Sequence, residues 1–144
     1  MKEKNILIIA GETSADIHGA NLVLALKSMD DDLRFFGIGG NRLKENGVEI
    51  IQDNKQMSIV GFVEVLKHYF FLKHVFNKIV NLCKNKKPIR AILIDYPGFN
   101  LRLAKELKKL NIPITYYISP QVWAWKENRV KIIKDCVDQM LCIF

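Results

Sequence analysis

Cysteine is scarce in this sequence, and acid is outnumbered by base. The three cysteines, Cys83, Cys136 and Cys142, are odd in number and form no Cys-x-x-Cys pair. That excludes a disulfide or zinc scaffold and reads as buried or free thiols in a reducing compartment. The apolar run Ile6 to Ala10 stops at Gly11-Glu12 and is too short for a signal peptide or a membrane span. A cytoplasmic location is therefore expected. Neither an internal repeat nor a low-complexity linker divides the chain, so its 144 residues read as one domain. Asp and Glu number 15 against 22 Lys and Arg, a formal net charge of +7. That balance calls for an anionic partner: a nucleotide, a phosphorylated substrate, an anionic lipid surface or a nucleic acid.

What is present is globular. Apolar residues make up 49% and charged residues 26% of the chain. A domain of this size buries roughly 68–70% of its unfolded surface, enough to fold without staples. The continuous apolar run Ile6 to Ala10 reads as a strand covered on both faces, and Leu33 to Ile38, Val48 to Gln52, Ala91 to Asp95 and Ile114 to Ser119 read as further strands. Helical patterns fall between them: after Asp16, a short one through Glu45, a long one from about Gly61 to Lys84, and others over Gly98 to Leu110 and Lys126 to Asp135. Strands alternating with helices predict an α/β fold, a Rossmann-like parallel sheet with helices on both faces. The last segment, Gln139 to Phe144, is again of strand type. An apolar ending of this kind suggests a truncated chain, a short native edge strand being the alternative.

In such sheets ligands bind beyond the carboxyl ends of the strands. Gly11 to Gly19 follows the first strand, Gly39-Gly40 the second, Asp95 to Asn100 the fourth and Ser119 to Trp125 the fifth. Neither glycine segment completes a Gly-x-Gly-x-x-Gly, so a dinucleotide site is poorly supported. Ser14 and Asp16 read equally as caps of the following helix or as cleft residues. His18, Trp123 and Trp125 read equally as packed side chains. Asp95 is the sharpest candidate: it ends an apolar run and can accept a proton from a substrate hydroxyl, with helix capping before Pro97 as the alternative. In the long helix, Phe62, Leu66, Tyr69, Phe76, Val80 and Cys83 form the expected core stripe. Phe71, Val75 and Leu82 lie opposite, flanked by Lys67, His74 and Lys78. That second face suits an anionic lipid surface or a partner protein, unless a break near Tyr69 turns it inward. Nucleic acid is not expected. Lys105, Lys108, Lys109, Lys131 and Lys134 are spread along helices and not interleaved with stacking aromatics.

Taken in order, these segments resemble the lipid-A-disaccharide synthase family. The matching stretches are Gly11 to Ala20, Gly37 to Gly40, Met57 to Leu66, Ile94 to Asn100, Tyr117 to Trp125, and Arg129. The Ser-Pro-x-Val-Trp-Ala-Trp and Ile-Asp-x-Pro-x-Phe-Asn segments are highly specific. The resemblance implies an inverting glycosyltransferase of the two-domain GT-B fold. Such an enzyme joins UDP-diacylglucosamine to diacylglucosamine 1-phosphate at the cytoplasmic face of the inner membrane, without a metal or other cofactor. This chain would be the N-terminal, acceptor-side half. The nucleotide-sugar domain would lie outside it, and the full-length enzyme would be a candidate homodimer. The fragment alone is expected to give no turnover, since catalysis needs both walls of the cleft.

The family's acidic catalytic position falls on Asp95, as general base. The resemblance further implies substrate contacts at Glu12, Ser14, Asp16, Asn100, Ser119 and Trp123. The basic, apolar helix face fits this reading, with Phe71 and Val75 expected to contact lipid and Lys67 and Lys78 to lie near headgroups. Met57, Ser58 and Glu64 match a motif without an assigned role. Two departures stand out: Ala15 where a glycine is common, and Gly98 where many members carry a second acid. Two other readings remain open, another GT-B enzyme acting on UDP-N-acetylglucosamine and a non-catalytic nucleotide-binding α/β module.

Overall fold

The computed structural model describes residues 3–57, 65–117 and 127–142. Strand β1 (Lys4–Ala10) leads to α1 (Thr13–Met29), β2 (Leu33–Gly39), the short α2 (Asn41–Glu45), β3 (Glu49–Asp53) and a 3₁₀ turn (Asn54–Met57). Then come α3 (Val65–Lys86), β4 (Arg90–Ile94), α4 (Pro97–Lys109), β5 (Ile114–Tyr117), α5 (Glu127–Cys136) and β6 (Gln139–Leu141). The six strands form one sheet in the order β3-β2-β1-β4-β5-β6, and every pairing is parallel. Chain order reverses between β1 and β4. A crevice opens at such a switch point, beyond the carboxyl ends of the two strands.

Side-chain alternation sorts each strand into two layers. Ile6, Ile8 and Ala10 of β1 join Ala15, Ala20 and Val23 of α1 and Leu43 of α2 on one face. Leu7 and Ile9 join Val75, Ile79 and Cys83 of α3 and Leu103 and Leu107 of α4 on the other. Each fully buried aliphatic side chain contributes about 1.5–3 kcal/mol relative to exposure. Two glycines are required by close approach. Gly37, at a positive φ of 152° beside a register shift in β2, would drive a Cβ to 1.8 Å from the Ile8 carbonyl oxygen. A Cβ on Gly11 would meet the Tyr96 ring at 2.8 Å.

The long helix corrects one expectation. Val75 is only 1% exposed and forms a buried ridge with Ile79 and Cys83 at i, i+4 and i+8. Phe71 and Leu82 pack beside that ridge, as do Phe76 and Val80. Val75 is therefore a core residue and Phe71 packs partly buried against that core, so the two do not form the outward face expected for lipid contact. No break near Tyr69 is involved, because α3 runs unbroken from Val65 to Lys86. The helix is covered over a broad arc, lying on the sheet while Phe76 meets Phe99 of α4 edge to face at 5.6 Å. Tyr69, expected in the core stripe, is instead 52% exposed next to Phe70 at 61%. Lys67 and Lys78 are exposed as expected.

The thiols behave as composition suggests. Cys83 and Cys136 are buried and Cys142 is exposed, all unpaired. Burial pushes the Cys83 thiol up to about 12, so it stays protonated and inert at neutral pH.

Candidate active site at the carboxyl edge of the sheet

Strand β4 is a five-residue buried ladder and stops at Ile94. The next two residues, Asp95 and Tyr96, both take the left-handed conformation, with φ of 45° and 50°. Non-glycine residues there cost about 1–2 kcal/mol each, so surrounding bonds must hold them. Three do. The Asp95 amide donates to the Tyr117 carbonyl at 3.1 Å. The Asp95 carbonyl accepts from Asn100 Nδ2 at 2.7 Å and from the Tyr116 hydroxyl at 2.5 Å. Asn100 Nδ2 also donates to the Ile94 carbonyl at 3.2 Å. Asn100 is fully buried, and its Oδ1 has no hydrogen-bond partner among the described residues.

The effect is to present the Asp95 side chain at the rim, half-buried and without a hydrogen bond or ion pair among the described residues. It does not cap α4. The N-cap of that helix is Tyr96, no side chain caps it, and Pro97 opens it. The cap alternative for Asp95 therefore falls away. Burial raises the Tyr116 hydroxyl above the usual phenol range, and the negative charge of Asp95 raises it further, while Arg129 opposes the rise. Tyr116 is thus a permanent donor, and Arg129 of α5 acts on the same rim.

Neighbouring loops are stitched to this turn. The Tyr96 ring lies over Gly11, and its hydroxyl donates to the Met57 carbonyl at 3.2 Å. Burial, then the Glu12 charge, raise the Tyr96 hydroxyl. Asn54 Nδ2 donates to the carbonyls of Ala10 at 3.1 Å and Glu12 at 3.3 Å. His18 of α1 meets Tyr117 of β5 edge to face at 6.4 Å. Residues that follow β1, β3 and β4 thus converge on the switch point.

The other sequence candidates divide. Glu12 is exposed and is the N-cap position of α1, yet its side chain makes no capping bond. Ser14, also exposed, does not cap that helix either. Asp16 is 4% exposed, and its carboxylate is engaged within the fold. Its carboxylate accepts from the amides of Gly40 at 2.8 Å, Arg42 at 3.0 Å and Leu43 at 3.2 Å, so it caps α2 across the fold. Asp16→Ala would orphan three amides. It should lower stability by about 1–3 kcal/mol, read as a drop in the urea midpoint. Ser119, Trp123, Ser58 and Glu64 lie outside the described residues.

Three site residues escaped the sequence reading. Asn54 directly follows β3 and Tyr96 lies two residues past the end of β4, which is a usable signal. Tyr116 sits inside a strand and has none.

The family described as Lipid-A-disaccharide synthetase matches residues 6–144. This chain belongs to that family. Lipid-A-disaccharide synthases from Trichlorobacter lovleyi and Myxococcus xanthus are 49% and 48% identical to it over 142 and 138 residues. These alignments cover 99% and 96% of the chain and 37% and 36% of the relatives. The Coxiella burnetii synthase is 42% identical over 144 residues, all of the chain and 38% of the relative. The chain thus spans a little over a third of the length of these relatives. Among solved structures, a UDP-N-acetylglucosamine 2-epimerase superposes with a TM-score of 0.67 at 14% identity, over 98% of this chain and 42% of that one. MurG from Acinetobacter baumannii gives 0.61 at 13% identity, over 95% and 40%. At such identities the likeness shows the fold alone. The expected Rossmann-like sheet, as found in half of a GT-B protein, is the observed one.

Proposed function

We propose that this chain is the N-terminal, acceptor-side domain of a lipid-A-disaccharide synthase. The intact enzyme transfers diacylglucosamine from UDP-diacylglucosamine to diacylglucosamine 1-phosphate, giving the disaccharide phosphate and UDP. The acceptor hydroxyl oxygen attacks the anomeric carbon, the bond to UDP breaks on the opposite face, and Asp95 takes the hydroxyl proton. A second domain, beyond these residues, closes the cleft and holds the nucleotide. The observation that carries this reading is the Asp95 carboxylate, unpartnered among the described residues and held at the switch point by a clamped left-handed turn in a chain of this family. The test is product formation by the intact enzyme from the two acylated substrates, followed by mass spectrometry. A soluble UDP-N-acetylglucosamine substrate turned over in preference would defeat it.

The substrates are lipids, and membrane contact belongs to the same reading. No described helix is long and apolar enough to cross a bilayer. Tyr69 and Phe70 instead stand exposed on α3, in ring contact at 5.6 Å, with Lys67, Lys73 and His74 exposed nearby. Aromatic rings ringed by bases suit an anionic interface. Phe70→Glu should weaken sedimentation with phosphatidylglycerol vesicles about tenfold, through lost apolar insertion and an added negative charge. Unchanged sedimentation would reject the contact. Substitution of Val75 would report only on folding, because it is buried.

A further inference from the structure

We propose that the groove between α3 and α4 holds one acyl chain of the lipid-linked acceptor, with Lys73 and Arg102 binding its phosphate. This rests on the acceptor-side reading above and names where that substrate lies. The groove has a volume of about 640 Å³, within the range of about 300–1,000 Å³ typical of small-molecule sites. Leu72, Phe76 and Phe99 make its lining apolar. Lys73 and Arg102 line it too, one from each helix, and both are exposed. Neither has a hydrogen bond or ion pair among the described residues.

The position is informative. Tyr96 and Pro97 also line the groove, so one of its walls is the turn that carries Asp95. A chain lying there brings its own head group to the rim where the proton is taken. The first turn of α4, Pro97 to Phe99, borders the same space, and no side chain caps its N-terminus. That end favours an anion. An apolar floor with two cations that have no partner among the described residues matches a ligand apolar over most of its length and anionic at its head. A neutral chain would leave the two cations without a counter-ion. A flat bilayer surface does not fill a concave groove, whereas a single chain does.

Gly98 gives a way to test this. It lines the groove, and a Cβ built there meets nothing within 4 Å, so a large side chain at this position has open space beside the groove and displaces no core residue. Dodecyl phosphate, kept below its micelle-forming concentration, is titrated into the chain by calorimetry beside inorganic phosphate and neutral dodecyl maltoside. One dodecyl phosphate should bind per chain, and inorganic phosphate roughly a hundredfold more weakly. Gly98→Trp should weaken dodecyl phosphate roughly tenfold with unchanged circular dichroism. Lys73→Ala with Arg102→Ala should do the same while sparing dodecyl maltoside. In the intact enzyme, Gly98→Trp should raise the KM for diacylglucosamine 1-phosphate and not that for UDP-diacylglucosamine. Dodecyl phosphate binding untouched by Gly98→Trp overturns the groove alone. A KM effect confined to the donor overturns the acceptor as occupant. Reduced vesicle sedimentation with intact dodecyl phosphate binding makes the groove a membrane contact and also overturns it. Absence of disaccharide from the wild-type intact enzyme is a separate result, which sinks the functional reading and the acceptor with it.

Discussion

Asp95→Asn in the intact enzyme should cut disaccharide formation about 10²–10⁴-fold, with thermal stability nearly unchanged. The size follows from what a positioned general base supplies when the attacking group is a hydroxyl of high pKa. The selectivity follows from the structure. Asparagine fits the space of aspartate and is one of the few residues at ease in the left-handed conformation that position 95 adopts. The carboxylate has no partner among the described residues, so its loss breaks no recorded bond. It sits half-buried at the rim, where substitutions shift stability by about 0.5 kcal/mol or less. Asp95→Ala is a poorer probe, because alanine adds backbone strain at a positive φ. The assay is mass spectrometry of the product with both acylated substrates, beside a melting curve for each protein. Equal product from both proteins would leave the family membership standing and reduce Asp95 to a turn residue.

That outcome turns on the side chain, and the legibility of the rest divides along the same line. Strand positions were readable because parallel strands covered on both faces must be continuously apolar: Ile6 to Ala10 and Ala91 to Ile94 have no solvent face to reveal. The order of the strands was not readable from single runs, yet it is what puts Gly11 and Asp95 side by side. Asp95 was legible as a carboxylate where packing has no use for one. Asp16 looked alike and does different work, because its three amide partners lie 24 to 27 residues away, in a loop no local pattern connects to it.

The inward turn of Phe71 and Val75 was hidden for a physical reason. A helix packed against both a sheet and a neighbouring helix buries more than one stripe, so apolar residues on its far side are not surplus. Periodicity measures the angle of the stripe and says nothing of its width. The exposed pair Tyr69 and Phe70 was hidden by the same width. Tyr116 shows a further limit. Its ring is core, and only the end of its hydroxyl reaches the site, so residue type and pattern both report packing.

The clamp behind Asp95 carries the second large effect, and it separates holding a residue from merely folding around it. Asn100→Ala removes two donors from buried carbonyls and should cost about 2–3 kcal/mol, roughly 2–4 °C of Tm for each of those in a domain of this size. Tyr116→Phe removes one donor from the same Asp95 carbonyl and keeps the ring that fills the core, so about 1 kcal/mol is expected. The two variants share a target atom but differ in structural damage. If the clamp positions Asp95, Tyr116→Phe should lower kcat by about tenfold or more, since a displacement near 1 Å at the reacting centre costs up to about 10²-fold. KM should hold, and Tm should move little. Both variants should act weakly on Asp95→Asn, because a base already removed cannot be misplaced. A Tyr116→Phe enzyme with full kcat would show instead that the left-handed turn holds itself once Asn100 is in place. The hydroxyl at 2.5 Å would then be a packing contact. A fall in kcat retained undiminished on the Asp95→Asn background would mean that Tyr116 acts on the substrate by a route that does not pass through Asp95.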